Sequence, residues 1–184
     1  MAGRPVRNQL AVCLMHTALF SCETSPHEGE PGDPSGSDIL APFSDLEFLE
    51  AQDDPFAAHR PAEIICNNLT GYYREESSLE VSTAHCNYLS LVEPAHVSAR
   101  AGDVVTTEIS HFDLTAPEPA TAHVALFAGP HVLFEQDVEI PGPAQVISVS
   151  VALPADIEPG ELVGIHLHNH GQNTWNFGPL VLER

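Results

Sequence analysis

The sequence predicts an all-β fold, an antiparallel β-sandwich of jelly-roll type preceded by one short helix. Three observations carry this. From Ile64 onward, short runs rich in β-branched residues are separated by Pro and Gly, and no long helical period interrupts them. In the run 145–153, Ile147, Val149, Val151 and Leu153 alternate with Ser148, Ser150 and Ala152, so one face meets a core and the other meets water. About nine such runs with turn signals between them suit two packed sheets.

The segments follow in chain order. Arg4 and Arg7 precede an apolar stretch over residues 10–20 that is broken only by His16 and Thr17, and no acidic residue appears before Glu23. The stretch is too short to cross a bilayer as a helix, which takes about twenty residues, and it has the layout of an export signal. Its end, Leu19-Phe20-Ser21-Cys22, resembles the bacterial lipobox. The resemblance implies cleavage after residue 21, a lipidated Cys22 and stable attachment to a lipid bilayer through several acyl chains. Glu23 stands where the inner-membrane retention signal has aspartate, which places the expected lipoprotein on the outer membrane, on its periplasmic or cell-surface side. An ordinary secretory signal with a chance cysteine nearby is the alternative.

Residues 22–43 form an acidic Pro/Gly/Ser-rich tether beyond the lipidated cysteine, and 44–184 one domain. Ser44-Asp-Leu-Glu47 resembles a capping box, with Leu46, Phe48 and Leu49 behind it and Asp53-Asp54-Pro55 as the stop, so a short helix is expected there. Strands are expected over 79–83, 86–91, 96–98, 104–112, 122–128, 132–138, 145–153, 162–168 and 180–183.

The chain carries a net charge of −20 and contains no lysine, which excludes nucleic acid and makes attraction to an anionic lipid surface untenable without the lipid anchor. With Cys13 in the signal and Cys22 lipidated, Cys66 and Cys86 are left in the domain. Outside the cytoplasm such a pair reads as a disulfide. Metal-binding thiols are the weaker reading, because zinc sites place cysteines closer together.

Eleven histidines in 184 residues are the compositional anomaly. His166, His168 and His170 recur at every second position, so in a strand they share one face, while Val163, Ile165 and Leu167 point to the core. Imidazoles two residues apart stand about 6–7 Å apart at Cα, within reach of one copper or zinc ion. A third ligand would come from His111, His123 or His131, with Asp113 nearby as a possible acid or base. The competing reading is an accessible polar sheet face whose histidines bond to Asn169, Asn173 or the backbone.

The same segment offers a second chemistry. Gln172, Asn173, Trp175 and Asn176 combine amides with an aromatic ring, a set that suits sugar hydroxyls. With the following Leu180-Val-Leu run they resemble the C-terminal end of galactose-binding-like sandwiches in carbohydrate-binding modules, over about the last sixty residues. Trp175 could equally plug the core. No Gly-x-Ser-x-Gly, His-Glu-x-x-His, phosphate loop or Cys-x-x-Cys is present. The leading expectation is therefore a non-catalytic binding module, with a copper or zinc protein and a structural partner of another envelope protein as alternatives.

Overall fold

The computed structural model describes residues 38–75 and 78–183. The signal, the lipobox with Cys22 and residues 23–37 lie outside the described residues. Those described form twelve strands: β1 Asp38–Ala41, β2 Glu47–Phe48, β3 Tyr72–Glu75, β4 Ser78–Ser82, β5 Tyr88–Pro94, β6 Val104–His111, β7 Ala120–Ala128, β8 His131–Ile140, β9 Gln145–Ala152, β10 Leu162–Asn169, β11 Thr174–Phe177 and β12 Leu180–Glu183. One 3₁₀ turn spans Ala57–His59.

Two antiparallel sheets result. In the first, β1-β12-β6-β11-β4-β3 lie in order, with β9 on the other edge of β6. In the second the order is β2-β5-β10-β7-β8. The alternation expected for β9 is the one observed, with Ile147, Val149 and Val151 turned to the core and the serines exposed, whereas β10 is buried on both sides. Val105, Ile109, Leu79, Val81, Trp175, Phe177, Leu180 and Leu182 of the first sheet meet Leu89, Leu91, Val124, Leu126, Val163, Ile165 and Leu167 of the second. The fold is thus the β-sandwich that the sequence predicts.

The helix expected at Ser44 is absent. Glu93, fully buried at the end of β5, accepts hydrogen bonds from the backbone N–H groups of Phe43, Ser44 and Asp45, the last two at 2.8 and 3.1 Å. Phe43 sits at φ 56°, which turns the chain. Those donors go to a distant carboxylate instead of a helix cap, and Glu47–Phe48 pairs with β5 at Val92 and Leu91.

Residues 38–43, expected as tether, belong to the sandwich: β1 pairs with β12, and Leu40, Ala41 and Phe43 are buried. The expected strand at 96–98 is irregular, flanked by the single bridge Ala99–Ile157. Cys66 and Cys86 form the expected disulfide. Beside it, Asn87 accepts from Ile65 N–H (2.9 Å) and donates to Glu63 O (3.0 Å), stitching the loop before β3 to the start of β5.

Candidate functional site: a covered histidine face

Strand β10 sends His166 and His168 to the face of the second sheet opposite the core. Register places Ser90 of β5 and Ala125 of β7 beside His166, and Tyr88 and His123 beside His168. This face is not open to water, in contrast to the accessible surface expected from the alternation. His166, Tyr88 and Ser90 are each 0% exposed. The cover is the segment running from Leu49 to Arg60.

Phe56 anchors that cover. Its ring stacks on His166 (centroids 4.4 Å, 22°) and meets Phe127 edge-on at 5.6 Å, closing a small apolar cluster with Leu49, Val92 and Ala125. Gly164 makes the room: a Cβ there would lie 2.5 Å from Phe127 Cζ and 2.4 Å from Leu91 O.

The 3₁₀ turn that follows Phe56 delivers His59. Its ring lies 4.1 Å from His123 in parallel stacking, 5.8 Å from His166 and 6.2 Å from His168. His123 stands 5.2 Å from His166, and His168 meets His170 at 4.3 Å. Five imidazoles from three separate stretches of chain thus gather on one sheet face. His59 carries no local sequence signal, and only the excess of histidine hints at it.

Asp54, whose side chain is 0% exposed, ties the cover to the sheet. Its carboxylate accepts from Phe56 N–H (2.9 Å), the Arg60 guanidinium (3.1 Å), Ser90 Oγ (2.9 Å) and the Tyr88 hydroxyl. Ser90 Oγ in turn lies 2.9 Å from His166 Nδ1. The order is carboxylate, hydroxyl, imidazole, which differs from a hydrolytic triad, where the imidazole stands between and activates the hydroxyl.

Burial first, and then the neighbouring His123, His59 and His168, hold the His166 pKa down to about 2. Burial followed by His170 and His59 lowers His168 to about 4, and burial followed by His59 lowers His123. Lowered pKa values favour the neutral form of these three rings at pH 7. His166 Nε2 and His123 Nδ1 are buried with no hydrogen-bond partner, an uncommon condition for polar atoms in a folded protein. As the side chains stand, with His59 flat on His123, no group of three or more His, Cys, Asp or Glu among the described residues is arranged to hold a metal ion.

The other candidate residues lie elsewhere. His111 is buried in the first sheet opposite Trp175, their rings 4.5 Å apart, so it cannot serve as third ligand to the β10 histidines. His131 is exposed at the start of β8, on a groove shared with Leu153, Pro154 and Ile157. Asp113 accepts from Ala144 N–H and does not join the cluster.

The amide and aromatic set is dispersed over four places. Trp175 is 0% exposed and offers no face to a sugar. Asn173 is engaged structurally, donating to Asp113 O at 2.6 Å and accepting from Thr174 N–H at 2.8 Å. Asn176 lies on the outer side of the first sheet near Phe112 and Val146, whereas Gln172 lines a polar cleft of about 590 Å³ with Thr83, Asn87, Thr115, Asn169 and His170.

No protein-family model matches the chain, and no curated protein matches its sequence. Among solved structures it is similar to the C-terminal CBM6 of a marine laminarinase from Zobellia galactanivorans, at 11% identity over 81% of this chain and 100% of that one, with a TM-score of 0.42. It is also similar to a CBM4 structure (15% identity, 77% and 96% covered, TM-score 0.38) and to the second N-terminal cellulose-binding domain of Cellulomonas fimi β-1,4-glucanase C (13%, 80% and 96%, 0.33). Likenesses this remote carry no argument about a ligand. The functional reading therefore stands on the site itself.

Proposed function

We propose that this chain is a non-catalytic, extracytoplasmic metal-binding β-sandwich, held to the outer membrane by lipid on Cys22, whose imidazoles take one copper or zinc ion. His123, His166 and His168 are the principal ligands, and His59 or His170 completes the set. The observation that carries the reading is His166 Nε2, a buried ring nitrogen with no hydrogen-bond partner inside a ring of further imidazoles. Neutral imidazole suits both ions. Loading requires the stacked His59 and His123 rings to turn until their nitrogens converge, a rotation that the exposed position of His59 permits.

The test is elemental analysis of the mature chain, purified without a histidine tag or chelator and then reconstituted. Near-stoichiometric copper or zinc in the parent, lost in a His123→Gln/His168→Gln variant of unchanged circular dichroism, is the expected result. No uptake by the parent overturns it.

One observation favours a second reading. Asn169, 2% exposed, lines the polar cleft with its Oδ1 unpartnered, a vacancy that a hydroxyl-bearing ligand such as a carbohydrate would satisfy. Calorimetric titration with oligosaccharides against Gln172→Ala tests it, and the absence of heat with every glycan removes it.

A further inference from the structure

We infer that Asp54, acting through Ser90, selects the ring tautomer of His166 and so decides which nitrogen the imidazole pocket can offer to an ion. The metal consequence rests on the proposed function, but the tautomer itself does not.

The argument is a count of hydrogens. A serine hydroxyl has one. Ser90 Oγ has two close neighbours, Asp54 Oδ1 and His166 Nδ1, each at 2.9 Å, and a more distant one, the Tyr88 hydroxyl at 3.4 Å. A carboxylate can only accept, so the Ser90 hydrogen goes to Asp54. The Tyr88 hydrogen is committed to Asp54 as well.

Ser90 then turns a lone pair toward His166. That contact is a hydrogen bond only if Nδ1 bears the single ring hydrogen of the neutral imidazole, which leaves Nε2 as the bare acceptor. Nε2 is the buried atom without a partner. In the opposite tautomer, two lone pairs would face each other across Ser90–His166, and an N–H would be buried with nothing to accept it.

Metal-binding histidines are commonly oriented by a carboxylate or carbonyl on the far ring nitrogen. Here a serine is interposed, and the same carboxylate also holds Phe56 N–H and Arg60 of the segment that carries His59. Asp54 is thus a positioning residue that acts on both the sheet side and the cover side of the cluster.

Asp54→Asn changes the partner of Ser90 and also deprives the Phe56 N–H of its Oδ1 acceptor, so it acts on both sides of the cluster. Arg60 and Tyr88 keep the amide oxygen on the Oδ2 side, so the NH₂ group replaces Oδ1 and donates to Ser90. The Ser90 hydrogen is released toward His166 Nδ1, and the ring hydrogen moves to Nε2. Arg60→Gln, which loosens the cover without touching Ser90, is the control.

The experiment is the ¹⁵N shift of the His166 ring nitrogens at pH 7.5 in the histidine-labelled mature chain, with thermal melting and copper and zinc affinities of each variant. Expected are Nδ1–H in the parent and in Arg60→Gln, Nε2–H in Asp54→Asn, and metal affinity about 10- to 100-fold weaker in Asp54→Asn. Ser90→Ala, which removes the bridge but leaves the backbone hydrogen bond of Leu89 to the ring, weakens the Nδ1–H preference and serves if Asp54→Asn does not fold. Nε2–H in the parent, or an unchanged tautomer in both Asp54→Asn and Ser90→Ala, overturns the inference. A tautomer that switches in a chain taking up no metal sustains it and sinks the metal reading alone.

Discussion

Phe56 lies over the His166 ring at 4.4 Å and 22°, so the second sheet is roofed at the point where the histidine pattern most suggests an open surface. Burial on this face lowers the pKa values of His166, His168 and His123 and so favours their neutral forms.

Removing the ring should expose the site. Phe56→Ala leaves a void over His166 and Phe127 and should cost about 3 kcal/mol or more in urea unfolding. Diethylpyrocarbonate should modify one more histidine than in the parent, with His166→Gln in the same background identifying it. A modification count equal to the parent's would mean that the roof closes without Phe56.

Acid should destabilise the protein in a defined window. The pKa values of His166 and His168 are lowered in the folded state, so between the unfolded value of about 6.5 and their folded values of about 2 and 4 the unfolded chain binds more protons. Stability from the buried neutral rings is full above about pH 6.5 and falls as the pH drops toward 4. His166→Gln should flatten that fall in denaturation curves taken from pH 7.5 to 4.5.

Gly164 is held by contact, not by backbone conformation. Gly164→Ala pushes a methyl group into Phe127 and the Leu91 carbonyl, at a cost on the order of 1–3 kcal/mol. Calorimetric melting should show the lower transition, and an unchanged Tm would mean that Phe127 moves freely aside.

The Glu93 carboxylate replaces a helix cap for three N–H groups. Glu93→Gln turns an amide donor toward at least one of them and should cost about 1.5–3 kcal/mol. Amide exchange at Phe43 to Asp45 should accelerate selectively.

Replacing Cys66 and Cys86 together with alanine frees a closure of 20 residues and should lower stability by about 3 kcal/mol by chain entropy. Urea unfolding of the double variant against the parent checks the loss.

The sequence by itself determined what has a local cause. Alternation in β9 and β10 assigned Val149 and Ile165 to the core and His166 and His168 to the opposite side, because a strand's side chains repeat every two residues wherever the strand lies. The compartment argument paired Cys66 with Cys86. Short elements escaped it: β11, with four residues and a Trp, read as a ligand segment, and Ser44 lost its helix to Glu93, which lies 49 residues away. What only the tertiary structure decided was which strands are neighbours and what covers their outer face. Strand order put His123 beside His168 and sent His111 into the other sheet with Trp175, and the Phe56 segment brought His59 across the chain. Pairing and cover depend on contacts between residues far apart in sequence, and no local period records them.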